Sequence, residues 1–154
     1  MTEQQRKRLR LLGQIGFYLY MIIIFYFVLF SERYGRFAHE DYRYNLELFK
    51  EIKRFIIYRH YFSFEEIITN LFGNVFAFSP FGALLPFVRK QKTGFISVLF
   101  GTFCFSFVIE SMQLIFRVGV FDVDDLLMNT IGGVIGYIVY KIAREIYYVW
   151  KRLL

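Results

Sequence analysis

The sequence predicts an all-α polytopic membrane protein, with four transmembrane helices and an amphipathic surface helix between the first and the second. Three observations predict it. Hydrophobic residues make up 56% of the 154-residue chain and its mean hydropathy is +0.41, too apolar for an ordinary soluble domain. Apolar runs at about 11–30, 67–88, 95–116 and 125–141 are near the roughly 20 residues that cross a hydrocarbon core. Lys and Arg collect at the ends of these runs, so the formal net charge of +6 speaks for membrane topology and against a nucleic-acid-binding face.

The first run, Leu11 to Phe30, carries no charge and follows Arg6, Lys7, Arg8 and Arg10. It is too long for the apolar region of a signal peptide and has no small-residue cleavage site, so it is expected to stay as a first helix. The segment 31–66 balances basic against acidic residues and is expected to be an outward loop. Within it Leu48, Phe49, Ile52, Phe55 and Ile56 recur at helical spacing, with Lys50, Glu51, Lys53 and Arg54 on the other face. That pattern predicts an amphipathic helix lying at the membrane surface.

The second span contains Asn70 and Asn74, four apart and on one face, and Pro80, which removes a backbone donor and should kink it. Arg89, Lys90 and Lys92 close it. The third span holds Glu110 and Gln113. The fourth starts near Asp125, ends by Lys141 and Arg144, and is followed by the interfacial residues Tyr147, Tyr148 and Trp150. The N-terminal segment, the 89–92 loop and the C-terminal end are basic, which predicts both termini in the cytoplasm and a single membrane domain over 1–154. Cys104 is the only cysteine and lies in an apolar run, where a small buried hydrophobe is expected.

The polar residues inside these spans are the candidates for function. At about 1.5 Å of rise per residue, Glu110 lies roughly 9 Å inside the Phe116 boundary, Asn74 roughly 10 Å in from Ile67, and Asn129 about 6 Å in from Asp125. Three spans thus bring polar groups to a similar depth. Glu110, Gln113 and Arg117 follow at i, i+3, i+7 as one stripe, and Asp125, Asn129, Gly132, Gly133 and Gly136 share a side of the fourth span. Gly132 and Gly136 permit close helix approach. Taken singly, each has a structural explanation. Asp124 or Asp125 can cap the fourth helix, the asparagines can be interhelical glue, and Glu110 with Arg117 can be an ion pair holding the hairpin. Taken together, ionisable groups at this depth indicate a pocket.

At these residues the sequence resembles the VanZ-like family of bacterial membrane proteins, over roughly Asn45 to Tyr140. The resemblance rests on Asn70-Leu-Phe-Gly-Asn74-Val-Phe-Ala-Phe-Ser-Pro80-Phe-Gly82, on Glu110-Ser-Met-Gln113 with Arg117, and on Asp122-Val-Asp124-Asp125-Leu-Leu-Met-Asn129-Thr-Ile-Gly132-Gly133. Relatives often carry Pro where this chain has Leu48. The resemblance implies a cell-membrane protein acting near the envelope, since the founding member is tied to resistance to the glycopeptide teicoplanin. It supplies no reaction.

Three functions follow. The preferred one is a non-enzymatic envelope protein whose outward pocket binds an envelope lipid or lipoglycopeptide. Its ligand-binding candidates are Asn70, Asn74, Glu110, Gln113, Arg117, Asp122, Asp124, Asp125 and Asn129, with Arg117 on an anionic head group and Glu110 and Asp122 orienting it. No cofactor and no nucleic acid are expected. The alternative is an intramembrane enzyme in which Glu110 or Asp122 serves as acid or base, with Mg²⁺ or Ca²⁺ held by Asp122, Asp124 and Asp125. Ser111 neighbours Glu110 but points to another helix face. The third is a structural module in which the cluster only locks the helices.

Overall fold

The computed structural model describes residues 3–30, 40–89 and 93–153. The first part of the expected outward loop, 31–39, and Lys90 and Lys92 lie outside the described residues. Four long helices, α1 (Glu3–Phe30), α3 (Phe64–Val88), α4 (Phe95–Ile115) and α5 (Val123–Leu153), are long and apolar enough to cross a membrane. A short helix α2 (Lys50–Ile57) stands between the first two, followed by a 3-10 turn at Arg59–Tyr61, and two three-residue strands, β1 (Arg43–Asn45) and β2 (Val120–Asp122), complete the described elements.

α1 and α5 extend beyond their apolar runs into charged residues. α1 begins at Glu3, so Arg6, Lys7, Arg8 and Arg10 ride on its first turns, with Lys7 and Glu3 paired at 2.8 Å. α3 starts with a capping box. The Ser63 hydroxyl accepts the Glu66 N–H at 3.1 Å, and the Glu66 carboxylate accepts the Ser63 N–H at 2.8 Å. It continues through Pro80 as one helix, and the Tyr20 hydroxyl donates to the carbonyl of Ala77 at 2.9 Å in the turn where Pro80 withholds a donor.

The surface segment departs from its apolar pattern. Leu48 and Phe49 precede α2, because Phe49 takes a left-handed backbone (φ 67°) that a helix cannot contain. Only Phe55 of the expected stripe is buried, against the Phe62 ring at 4.8 Å between centroids. The strands were not expected either. β1 and β2 pair in parallel, with Arg43 opposite Val120 and Asn45 opposite Asp122. Three residues carry too little alternation to be read as a strand, and the pairing joins segments far apart in sequence.

α5 packs chiefly on α3 and next on α4, while α1 rests mainly on α3. Glycine makes the α3–α5 contact possible. A Cβ on Gly132 would strike the carbonyl oxygen of Val75, one on Gly136 that of Ser79, and one on Gly82 that of Gly133. The backbones therefore touch directly. Ile24, Phe78 and Ile109 form the apolar core, and Phe81 stacks on Phe105 at 4.7 Å. The outer faces keep large apolar side chains exposed, Ile22, Phe76, Phe100 and Ile142 among them, as lipid-facing surfaces do. Cys104 is on this exposed side, not in the packed core.

Candidate functional site

The antiparallel order of the spans brings the N-terminal ends of α3 and α5 together with β1, α2 and β2 at one end of the bundle. Here the three aspartates after α4 take separate tasks. Asp122, paired opposite Asn45 in the strand register, accepts the Asn45 side-chain amide at 3.1 Å and the Asp124 N–H at 2.8 Å on the same oxygen. Asp124 turns away from its own helix. Its two oxygens accept the backbone N–H groups of Phe49 and Glu51, the latter at 2.9 Å, so it caps α2 rather than α5. Asp125 accepts the Asn74 amide at 2.6 Å, tying α5 to α3.

Behind them lies a buried polar layer. Glu110 is 2% exposed, and one of its carboxylate oxygens accepts the Asp122 N–H at 3.2 Å. Gln113 donates to the Val28 carbonyl at 3.2 Å, which fixes α4 to α1. Asn129 donates to the Ser106 hydroxyl at 2.9 Å, which fixes α5 to α4. The carbonyl oxygens of Gln113 and Asn129 have no hydrogen-bond partner. A buried acceptor in that state costs about 1–3 kcal/mol.

A cavity of about 730 Å³ opens in front of this layer, between β1, α2 and the first turns of α3 and α5. Of the residues expected to bind a ligand, Asn70, Asn74, Asp122 and Asp125 line it. Asn70 is exposed, and its amide donates to the Glu66 carbonyl at 2.7 Å. Glu110, Gln113, Asp124 and Asn129 are buried and do not line it. Arg117 does not continue the stripe of Glu110 and Gln113. α4 ends at Ile115, Arg117 takes a positive φ of 55°, and the turn carries its side chain outward. Its guanidinium lies 4.4 Å over the Tyr42 ring and donates to the Glu40 carbonyl at 3.1 Å, so the expected ion pair with Glu110 does not form.

The cations of the cavity are Arg43, Lys50 and Arg54, none of them among the residues expected to bind a ligand. Arg54 pairs with Glu51 at 2.8 Å and Lys50 with Glu47 at 3.7 Å. Burial holds the Asp122 carboxyl above the usual aspartate range, against the lowering effect of its hydrogen bonds to Asp124 and Asn45. A signal for part of what was missed was present. Thr102, Ser106, Glu110 and Gln113 step along α4 at helical spacing, and all four are buried. Among the described residues no group of three His, Cys, Asp or Glu side chains converges as metal ligands do, because the aspartates face different partners.

Four spans with glycine-mediated contacts and a polar layer beneath one open end define a polytopic membrane protein built around a cluster of buried carboxylates and carboxamides. The VanZ/LLP1 family model matches residues 17–144, and the chain belongs to this family. It is 28% identical to Protein VanZ of Enterococcus faecium over 130 residues, which cover 82% of this chain and 72% of that protein. No solved structure matches it significantly.

Proposed function

We propose that the chain is an envelope protein with both termini in the cytoplasm. Its outward cavity binds the polar head of an envelope lipid or lipoglycopeptide, and this binding contributes to protection against teicoplanin-type antibiotics. The observation that carries this reading is the cavity itself: about 730 Å³, lined by Arg43, Lys50 and Arg54 together with Asn74, Asp122 and Asp125. That volume suits a small polar head group. Guanidinium groups hold carboxylates and phosphates through paired hydrogen bonds, and the lysine adds charge. The charge distribution supports the orientation, since Arg6, Lys7, Arg8, Arg10, Lys141 and Arg144 all ride at the opposite end of the bundle.

The enzymatic alternative draws less support. Glu110 is shut behind the cavity, and the Ser111 hydroxyl is spent on the Phe107 carbonyl at 2.7 Å. The test is a Lys50→Gln/Arg54→Gln double variant expressed in a susceptible Gram-positive host. Lys50 pairs with the exposed Glu47, and Arg54 pairs with Glu51 and lies over the Phe55 and Phe62 rings, contacts outside the packing of the spans, so the protein should still insert at wild-type level. The expected result is loss of protection against teicoplanin, together with loss of the species that co-purifies in mild detergent and is detected by mass spectrometry. Unchanged susceptibility with an unchanged co-purifying species would overturn the reading.

A further inference from the structure

The opposite end of the bundle holds a second cavity, of about 780 Å³, between the first turns of α1, the end of α3, Thr93 ahead of α4 and residues 140–148 of α5. Among the described residues five cationic side chains line it, Arg6, Arg10, Arg89, Lys141 and Arg144, and no acidic residue does. We propose that this cavity is a binding site for the phosphate head group of an anionic phospholipid from the adjacent leaflet.

Two of the cations are held in place by the protein. Arg10 donates from Nε to the Phe87 carbonyl at 3.3 Å and from Nη2 to the Arg89 carbonyl at 3.2 Å, which also satisfies carbonyls at the end of α3. Arg89 donates to the Ser97 hydroxyl. Fixing two guanidinium groups in advance lowers the entropy cost of gathering like charges around a ligand. Arg144 pairs through Nη2 with the exposed Glu145 at 2.9 Å, yet its Nε is buried and has no acceptor. The Thr93 hydroxyl is likewise buried without a partner among the described residues, while its backbone carbonyl is taken by the Tyr137 hydroxyl at 2.8 Å. Both lie in the cavity lining, where a phosphate oxygen would complete them.

The apolar part of the lining selects a lipid over a free anion. Leu9, Pro86 and Phe87 share the cavity with the cations, and Leu9 lies 48% exposed on the flank of α1 that continues into the lipid-facing surface. A head group seated among the cations would have its acyl chains beside that flank. Basic pockets between spans at an interface bind anionic lipids in this way, with an attraction that salt screens. The site is independent of the outward cavity, which lies at the other end of the spans.

The test uses the full chain in mild detergent, with lipid binding followed by native mass spectrometry and by thermal shift. Dioleoyl phosphatidylglycerol, dioleoyl phosphatidylcholine and inorganic phosphate are the three ligands. Phosphatidylglycerol should bind with a Kd at least ten-fold below that of phosphatidylcholine. Millimolar inorganic phosphate should not displace it. Lys141→Gln/Arg144→Gln, checked for wild-type helicity by circular dichroism, should weaken phosphatidylglycerol binding about ten-fold or more. Arg6→Gln, whose side chain is exposed and off the packed core, gives the same readout if the double variant misfolds. Equal affinity for the two lipids, full competition by inorganic phosphate, or undiminished binding in the folded variants would each overturn the proposal.

Discussion

The carboxylate of Asp124, in the first turn of α5, accepts the backbone N–H of Glu51 at 2.9 Å across 73 positions of the chain. Its other oxygen takes the N–H of Phe49, so one side chain caps a helix that brings no side-chain cap of its own. Asp124→Ala should therefore loosen the surface segment without unfolding the spans. Loss of two charge-assisted hydrogen bonds at a buried site should cost about 2–4 kcal/mol locally. Limited proteolysis should cleave between residues 46 and 62 faster in this variant, and Asp124→Asn, which keeps an acceptor, should fall between it and wild type. Equal cleavage in all three would count against the cap.

The glycines of the α3–α5 contact give a prediction whose sign differs between positions. Gly→Ala inside a helix ordinarily stabilises by roughly 1 kcal/mol. Gly16→Ala should follow that rule, because its added Cβ would meet only a Leu84 methyl at 3.9 Å. Gly136→Ala should do the reverse and lower Tm in detergent, since its Cβ would enter the Ser79 carbonyl and push α5 off α3. Thermal unfolding of the pair decides it. A Gly136→Ala protein as stable as Gly16→Ala would show that the helices do not touch there.

Asp122 predicts a pH dependence. Burial raises its folded pKa, so the folded protein holds that proton more tightly than the unfolded chain does. The resulting stability is complete below the unfolded aspartate value of about 3.9 and is lost as pH rises through the folded value. Asp122→Asn keeps a carbonyl oxygen for Asn45 and the Asp124 N–H but cannot ionise. The difference in Tm between Asp122→Asn and wild type should therefore grow in favour of the variant as pH is raised from about 4. A constant difference across that range would exclude the linkage.

Arg117 separates loop anchoring from ligand contact. Its guanidinium is engaged with Tyr42 and the Glu40 carbonyl at the protein surface. Arg117→Ala should cost about 0.5–1 kcal/mol, the range for an exposed cation–π contact, and should leave teicoplanin susceptibility nearer to wild type than Lys50→Gln/Arg54→Gln does. Susceptibility assays on the two strains at matched membrane levels make the comparison, and a larger effect from Arg117→Ala would return that residue to the binding site.

The membrane-spanning part of the fold was legible because it is written locally. Length, charge-free runs and basic flanks give the four helices to within a few turns, and helical spacing places Glu110 with Gln113 on one face. Counting depth set Asn74 level with Glu110 and Asn129, whereas it bonds Asp125 in the first turn of α5. Arg117 was misplaced because the i+7 rule assumes an unbroken helix, and a left-handed residue after Ile115 breaks it. The role of Asp124 was hidden for a different reason. Aspartate before an apolar run is the ordinary sign of a cap for the helix that follows, and nothing local tells that its partner is Phe49. Arg43, Lys50 and Arg54 belong to a segment read as a loop with an amphipathic surface helix, and the β1–β2 pairing and the Asp124 cap, both non-local, bring it to the cavity.

That parallel pairing has a consequence for biosynthesis. β1 and the start of α2 emerge from the ribosome well before β2 and Asp124, and at roughly 5–20 residues per second the 73 positions between Glu51 and Asp124 take about 4–15 s to make. During that interval the nascent surface segment has neither its strand partner nor its cap. Its strand pairing and its cap both wait for the turn between α4 and α5, so this end of the molecule closes late in synthesis, after three of the four spans have been made.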